Sequence, residues 1–515
     1  MKTKLFYAIL AFTFLTFFNG HSQPGNKSCV PTDEIYYNKV RGEWLGKCIG
    51  GALGMPIEGW SKEQISRYFG DIKGYTGYFD ERVMRSSSVL KEVDYPADGK
   101  WQSVKINLHV PDYDTTVTHA VPLIWIIGDV GNRNECELRK LEIKGVNNVP
   151  DFIPKIWKNW SLVTVSENGI AHFNAPGWVK LDAIATSNIC LPSGKDVEIT
   201  LEARNISGRS PNKIGISLDY ISNKSQVGFL PDDDTSFQLV FFSCIEKNGP
   251  DIGCQAIGKS WLELCPKRYL DLGMLAEGIA YIKLVDGILP PETGKHRLST
   301  AIGGQMKAEI CGLICPGRPD LAAEYGRRDG VVAHAGDGVY GEQYVAAMIA
   351  KAFCENNVEN IMLDALKQIP KDSKYARSVR KTIELYKKYP NSENAFKEYL
   401  STKDTSETFH NYWDAGIVNL TLLYGKGDFE KSLLLAASYG HDTDCNCATV
   451  GALLGCISGA DAIPKKWADP IGDKFASDTK GFENCKISEL AQRICKKGRE
   501  VIKFHRNGMR FTSDL

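Results

Sequence analysis

The chain has no excess of either charge and no long basic tract. Its 62 Lys and Arg residues balance its 62 Asp and Glu residues, so the formal net charge over 515 residues is zero. Nucleic-acid-binding proteins carry clustered positive charge, and we therefore expect no nucleic-acid partner. The nine His residues include no pair with zinc-finger spacing, which disfavours the Cys445-x-Cys447 sequence as part of a zinc motif.

Long apolar runs are missing beyond the N-terminus. Residues 1–22 begin with two lysines, continue with an apolar run from Leu5 to Phe18, and end in a Gly-His-Ser sequence that suits a cleavage site. The run of about 14 residues is shorter than the roughly 20 that a membrane-spanning helix needs. We interpret it as a secretory signal peptide. The mature chain is expected to start near Gln23, to span no membrane, and to be periplasmic or secreted.

The chain contains 15 cysteines, and this odd number leaves at least one thiol unpaired. Several of them, such as Cys48, Cys244 and Cys456, lie in apolar helical patterns, where a free thiol behaves as a small hydrophobic side chain. The sequence does not reveal the disulfide connectivity.

The chain is longer than the chains that usually fold around a single hydrophobic core, so we expect two domains. Helical patterns occupy residues 33–79 and 229–515, whereas residues 80–228 contain short alternating segments separated by turn residues. Such alternation predicts a β-sandwich, inserted here into a helical domain. Its tryptophans, Trp157, Trp160 and Trp178, are interpreted as core residues more readily than as a sugar-stacking platform.

Glycine recurs at every fourth residue in two apolar segments. The first has Gly42, Gly46, Gly50 and Gly54, and the second has Gly451, Gly455 and Gly459. This spacing places the glycines on one stripe of a helix, which another helix can approach with its backbone. Both segments are predicted to be helices, and Pro56 should end the first.

Two acidic clusters stand at the predicted starts of apolar helices. One is PDDDT at residues 231–235, and the other is Asp442 with Asp444 before the second glycine-rich helix. Because burying unpaired carboxylates is unfavourable by several kcal/mol each, such clusters are solvated, cap a helix, or bind a metal ion. The apolar residues 236–245 favour the metal, with oxygen ligands. A similar motif, PDYDT at 111–115 with Asp114, stands among strand-like segments and is interpreted as a loop.

Three motifs together resemble the ADP-ribosylglycohydrolase family. They are GALGMPIEG at 51–59, PDDDT at 231–235 and GHDTDCNCATVGALLG at 440–455, and residues 301–353 are similar to the middle helices of the family. The resemblance covers roughly residues 33–75 and 229–470. It implies an all-helical domain, so the expected fold is mainly α with an inserted β-sandwich.

The resemblance also implies two Mg²⁺ ions. The expected ligands are Asp232, Asp233, Asp234, Asp442 and Asp444, of which Asp444 is expected to bridge the ions. Asp232 and Cys445 stand where relatives commonly have threonine. Because a thiol is a poor partner for Mg²⁺, either Cys445 is a spectator or the preferred ion shifts, for instance to Ca²⁺ or Mn²⁺.

The reaction implied by the resemblance is hydrolysis of an N- or O-glycosidic bond to ADP-ribose or a related ribosyl group. The expected catalytic residues are Glu58, Asp233 and Asp444, and the expected substrate-binding residues are His334, Asp337, Tyr340 and Gly341. Hard cations can hold vicinal sugar hydroxyls and orient a water molecule. Nearby carboxylates stabilise the positive charge that develops on the sugar ring.

Export weakens the choice of ADP-ribose as the substrate group, because ADP-ribose conjugates occur mainly inside cells. One alternative is a metal-dependent glycosidase acting on another extracytoplasmic glycoside. The other is a non-catalytic protein that binds a glycan, although the presence of Asp233, Asp234, Asp442 and Asp444 argues against it. The partner is expected to be a small-molecule or glycoconjugate substrate. The leaving group, the ions and the oligomeric state are not identified by the sequence.

Overall fold

The structure is a computed structural model that describes fifteen stretches of the chain. These are residues 31–76, 83–86, 90–95, 98–112, 117–127, 133–144, 163–165, 170–176, 179–181, 191–206, 212–222, 228–265, 276–402, 410–507 and 511. The predicted signal peptide, Asp114 and the three tryptophans Trp157, Trp160 and Trp178 lie outside them. None of the described helices combines the length and apolar character that a membrane crossing requires.

Helices make up most of the described chain, which confirms a mainly α fold. Before the sheets come α1 (Asp33–Gly54) and α2 (Lys62–Phe69). After the sheets come α3 (Asp233–Asn248), α4 (Cys254–Leu264), α5 (Ala276–Val285), α6 (Gly303–Met306), α7 (Glu309–Leu313), α8 (Pro319–Ala333), α9 (Asp337–Ala352), α10 (Val358–Ala365), α11 (Lys374–Lys388), α12 (Ser392–Ser401), α13 (Asn411–Gly425), α14 (Phe429–Tyr439), α15 (Thr443–Ser458), α16 (Lys465–Ile471) and α17 (Ile487–Arg506).

Two five-stranded sheets stand between α2 and α3 in the sequence, and their strands pair antiparallel. Their strands are β1 (Val83–Ser86), β2 (Lys91–Tyr95), β3 (Gln102–His109), β4 (Val117–Ile127), β5 (Arg133–Lys144), β6 (Val163–Val165), β7 (Ala171–Pro176), β8 (Val179–Leu181), β9 (Asp196–Asn205) and β10 (Asn212–Ser222). One sheet holds β1, β2, β4, β8 and β10, and the other holds β3, β5, β6, β7 and β9. A short pair, β11 (Lys474–Phe475) and β12 (Cys485–Lys486), lies near the C-terminus.

The alternation seen in the sequence becomes a buried and an exposed face in the second sheet. In β3 every second side chain is buried, and Ile106 pairs with Ile199 of β9. A side-chain period of two puts these residues on one face of the sheet. The stacking of the two sheets into a sandwich, and the boundary of the insert at residues 80–228, stay predictions.

Helices α1 and α15 meet backbone to backbone along their glycine stripes. A Cβ atom on Gly46 would lie 2.1 Å from Gly451 O, and one on Gly50 would lie 2.0 Å from Cys447 O. Any side chain there would push the helices apart. The predicted glycine contact is thus confirmed, except that α15 ends at Ser458 and Gly459 follows it as the C-cap with a φ of 78°. The pair joins parts of the helical region that the two sheets separate in sequence.

Candidate metal centre

The starts of α3 and α15 carry the two acidic clusters. Asp232 is the N-cap of α3, where its Oδ1 accepts hydrogen bonds from Thr235 N at 2.9 Å and from the Thr235 hydroxyl. Asp442 occupies the N-cap position of α15, and Asp444 lies in the first turn of that helix. The backbone N–H groups of a helix start stabilise negative charge. Both helices therefore direct the favourable end of their dipoles at the carboxylates.

One aspartate from each cluster lies close to Cys445. Asp234, Asp444 and Cys445 each offer a ligand atom, and these atoms lie within 4.8 Å of one another. Cys445 Sγ donates to Asp234 Oδ2 at 3.4 Å and lies 3.9 Å from Met306 Sδ. Asp234, Cys445 and Met306 are all buried. The centre is therefore formed by α3, α15 and the end of α6.

Burial and like charges shape the protonation of this cluster. Burial raises the pKa of Asp234 well above its ordinary value, Lys47 opposes the rise, and the neighbouring aspartates add to it. Burial also raises the pKa of the Cys445 thiol, and Asp234 raises it further. Without an ion, Cys445 is therefore a thiol that donates a hydrogen bond to Asp234.

A buried lysine lies behind the cluster. Lys47 Nζ lies 3.2 Å from Glu309 Oε1 and 3.5 Å from Asp234 Oδ1, and it donates to Met306 O at 2.9 Å. Burial alone lowers the pKa of Lys47, but Glu309 and Asp234 outweigh it and hold the pKa above its ordinary value. Gln238 Nε2 donates to Glu309 Oε2 at 3.0 Å. Lys47 therefore stays charged and holds Asp234 in place through this ion pair.

Lys47 and Glu309 were missed by the sequence reasoning. A signal existed for Lys47, because a lysine within a glycine-rich apolar helix has to be paired if it is buried. Glu43, one turn earlier on α1, carries the same signal: it is buried, and neither carboxylate oxygen has a hydrogen-bond partner among the described residues. Burial and the neighbouring Glu309 raise its pKa well above the ordinary value, which favours the neutral acid.

Glu58 lies on a segment that is tied to the start of α15. It follows a short 3-10 helix, Met55–Ile57, just after α1 ends, as Pro56 predicted. Gly59 N donates to His441 O at 2.7 Å, and His441 N donates to Trp60 O at 2.8 Å. The half-buried Glu58 therefore directly precedes Gly59, which is hydrogen-bonded to His441, and His441 directly precedes Asp442. Its catalytic role stays a prediction.

The four predicted substrate-binding residues form a separate group at the junction of α8 and α9. His334 is buried, with Nε2 at 2.9 Å from Glu277 Oε1 and Nδ1 at 3.3 Å from Ser299 O. Burial favours a higher pKa for Glu277, but His334 outweighs it and lowers the pKa below the ordinary value. His334 is thus engaged by a carboxylate, and its contact with substrate stays a prediction.

The other three residues of this group lie on α9. Asp337 Oδ1 accepts from Tyr375 N at 2.8 Å, Tyr340 is half-buried, and Gly341 packs against Tyr375. Helix α6 connects this group to the metal centre, because a Cβ on Gly304 would lie 2.5 Å from Gly338 O while Met306 touches Cys445. The two groups are therefore linked through one short helix.

The donor atoms of the cluster suit a divalent cation. Asp234 and Asp444 supply carboxylate oxygens, and Asp442 Oδ1 is buried without a hydrogen-bond partner among the residues that the structure describes. A cation would satisfy such an oxygen. Asp233 is half-buried in the first turn of α3. The thiol of Cys445 is the one donor that departs from the oxygen ligands expected for Mg²⁺.

The chain is similar to one known protein family. A family model described as ADP-ribosylglycohydrolase matches residues 32–106 and 194–501. A solved structure described as an ADP-ribosylglycohydrolase-related protein complex is similar, with a TM-score of 0.38 and 18% sequence identity, covering 52% of this chain and 81% of that chain. A comparison with curated proteins gave no match. The family match includes both acidic clusters and Glu58.

Proposed function

The chain belongs to the ADP-ribosylglycohydrolase family, and from that premise we propose that it hydrolyses an N- or O-glycosidic bond to ADP-ribose or a related ribosyl group, using a divalent cation. The observation that carries the proposal is the convergence of Asp234, Asp444 and Cys445, whose ligand atoms lie within 4.8 Å of one another. Membership of the family supports a hydrolase of glycosidic bonds. The convergence supports dependence on a metal.

The role proposed for each aspartate follows from how deeply its side chain is buried. Asp234 is buried and anchored by Lys47, so it would hold the cation, together with Asp444. A bound cation would coordinate sugar hydroxyls and polarise a water molecule. Asp233 and Asp442 are half-buried, and from that position they would stabilise positive charge on the sugar ring as the glycosidic bond breaks.

Glu58 and Asp232 would serve different purposes. Glu58 is half-buried and its backbone segment is hydrogen-bonded to His441 through Gly59, so it would accept a proton from the attacking water. Asp232 uses Oδ1 to cap α3, and this supports a structural contribution in addition to any ligand role. A bridging role for Asp444 between two ions belongs to the same proposal.

The location outside the cytoplasm is part of the proposal as well. Cys354 is bonded in a disulfide, and disulfides persist in oxidising compartments. This observation supports export and favours a second candidate function, a metal-dependent glycosidase acting on another extracytoplasmic glycoside. The two candidates share the site and differ in the substrate.

The test is an assay of the purified chain with Mg²⁺, Mn²⁺ or Zn²⁺ against ADP-ribosylated peptides and a panel of glycosides. Asp444→Asn should lower kcat/KM by roughly 100-fold or more, because it removes a charge from the reacting centre. The matched control is Asp461→Asn, since the exposed side chain of Asp461 pairs with Arg41 at 3.6 Å on the surface, and it should keep the full rate. Full activity of Asp444→Asn would contradict the assignment. Binding of ADP-ribose without turnover would instead favour the non-catalytic alternative.

A further inference from the structure

Two sulfur atoms face the carboxylates of the candidate metal centre. Cys445 Sγ lies 3.4 Å from Asp234 Oδ2, and Met306 Sδ lies 3.9 Å from Cys445 Sγ. Both sulfur-bearing side chains are buried, with relative exposures of 6% for Cys445 and 3% for Met306. Mg²⁺ and Ca²⁺ take oxygen ligands, whereas thiolate ligands select softer ions.

We propose that Cys445 is a metal ligand and that the centre therefore selects a borderline divalent ion of the Zn²⁺ class over Mg²⁺ and Ca²⁺. This inference rests on the proposed function for the existence of the centre and concerns only the ion that the centre takes. The three ligands that the structure assigns are Asp234, Asp444 and Cys445.

The spacing of the donor atoms supports a tetrahedral ion. With a Zn–S bond of about 2.3 Å and a Zn–O bond of about 2.0 Å, tetrahedral geometry separates the sulfur from the oxygen by about 3.5 Å. The observed separation of Cys445 Sγ and Asp234 Oδ2 is 3.4 Å. The hydrogen bond between thiol and carboxylate thus holds the sulfur and one oxygen at a spacing that a tetrahedral ion can accept.

Binding of the ion changes the charge of its three ligands. When the metal–sulfur bond forms, the S–H bond breaks and its proton leaves to the solvent, while no atom is oxidised or reduced. One thiolate and two carboxylates exceed the charge of one divalent ion by a single negative charge. The ammonium group of Lys47, 3.5 Å from Asp234 Oδ1 and 3.2 Å from Glu309 Oε1, is shared by these two carboxylates and offsets part of the negative charge.

The second cysteine of the Cys-x-Cys sequence is outside the group. Cys447 lies on the face of α15 that packs on α1, where its carbonyl oxygen would be 2.0 Å from a Cβ on Gly50. The selectivity therefore depends on one thiol. Met306 contributes a neighbouring thioether, so Met306→Leu should change the affinity for the ion much less than a substitution of Cys445.

The experiment is a titration of metal-free protein with Co²⁺ in a reducing, oxygen-free buffer, followed by absorption spectroscopy. Co²⁺ replaces Zn²⁺ in tetrahedral sites and gives a thiolate-to-cobalt charge-transfer band in the near ultraviolet. We expect this band in the wild type, saturating at one Co²⁺ per chain, and its loss in Cys445→Ser. The control is Cys456→Ala, because buried Cys456 lies three helical turns further along α15, and it should keep the band. Zn²⁺ should displace the cobalt, whereas excess Mg²⁺ should not.

A second variant keeps the test decisive if Cys445→Ser does not fold, as judged by circular dichroism. In Cys445→Thr, calorimetry should show Zn²⁺ affinity weakened about 100-fold or more, with Mg²⁺ affinity not weakened. The inference is overturned if the wild type binds no Co²⁺, if it binds Co²⁺ without the band, or if the band persists in Cys445→Ser. Hydrolysis by the wild type with Mg²⁺ as fast as with Zn²⁺, at a rate unchanged in Cys445→Thr, would overturn it while leaving the proposed function intact. A cobalt–thiolate band in a protein that hydrolyses none of the substrates would support it while rejecting the proposed function.

Discussion

Lys47 and Lys307 are both buried in the helical region and are each shared between two carboxylates, yet only one of them reaches the candidate metal centre. Lys307 Nζ lies 2.6 Å from Asp329 Oδ2 and 2.7 Å from Glu342 Oε2. Its network joins the segment between α6 and α7 to α8 and α9. Burial alone lowers the pKa of Lys307, but these two carboxylates hold it above the ordinary value.

The network of Lys47 differs because one of its carboxylates is also a candidate ligand. Asp234 faces Lys47 through Oδ1 and Cys445 through Oδ2. The ammonium of Lys307 has no such neighbour among the described metal-ligand candidates. The comparison teaches that similar buried ion pairs can serve different ends: one fastens helices together, and the other holds a ligand. Substitutions of the two lysines should separate these roles.

The largest expected effect is the loss of the closed network in Lys307→Met. Removing the ammonium leaves Asp329 and Glu342 buried without a counter-ion, which should lower the free energy of unfolding by about 3–5 kcal/mol. Urea unfolding followed by circular dichroism measures the change. Chelation of divalent ions should alter this variant no more than the wild type. A loss below about 1 kcal/mol would refute the structural role.

Lys47→Met should be destabilised to a similar extent in the presence of a chelator, because Asp234 and Glu309 lose their shared partner. Here a divalent ion should restore part of the loss, since it binds the more negative cluster more tightly and stabilises the folded state by mass action. The measurement is urea unfolding of both lysine variants with and without Zn²⁺. If Zn²⁺ stabilises Lys47→Met no more than Lys307→Met, the distinction between the networks fails.

Gly46→Ala should disturb the helix pair on which both the metal centre and Lys47 depend. The added Cβ would lie 2.1 Å from Gly451 O, so α1 and α15 have to separate, with a loss of about 1–3 kcal/mol in the free energy of unfolding. Gly74→Ala is the control, because a Cβ at Gly74 meets no atom within 4 Å. Thermal unfolding of both variants gives the comparison, and equal transition temperatures would contradict the close contact.

The smallest expected effect is on the pH dependence of stability, and it involves neither Lys47 nor Lys307. Burial, with a smaller contribution from the neighbouring His334, lowers the pKa of half-buried His296 to about 4. The unfolded chain binds a proton near pH 6.5, so this contribution to stability is present above that pH and is lost as pH falls toward 4. Discounted for partial exposure, it amounts to about 1–2 kcal/mol. Unfolding of the wild type and His296→Gln between pH 4 and 7 should show a shallower pH dependence in the variant; parallel curves would contradict this.

Much of the helical region follows from local patterns in the sequence. The glycine spacing predicts that α1 and α15 each expose a backbone surface, and the acidic motifs predict charged helix starts. The end of α15 at Ser458 was missed by one residue because the four-residue period continues through Gly459, whose positive φ ends the helix.

The partners of the candidate site were harder to predict. Lys47 meets Asp234 across 187 positions of sequence and Glu309 across 262. Helical periodicity reveals which face of a helix is buried but not which distant side chain it meets. The same limit applies to Met306, which the sequence placed in the middle helices without any link to Cys445. Composition likewise does not reveal that His334 pairs with Glu277.

The central claim is that Asp234 and Asp444 bind a divalent cation together with Cys445, and it is tested most directly by anomalous X-ray scattering at the zinc edge from crystals soaked in Zn²⁺. We expect a peak within bonding distance of both carboxylates and of Cys445 Sγ. A zinc peak only at surface residues, a peak beside Asp329 and Glu342, or no peak at the junction of α3 and α15 would contradict it.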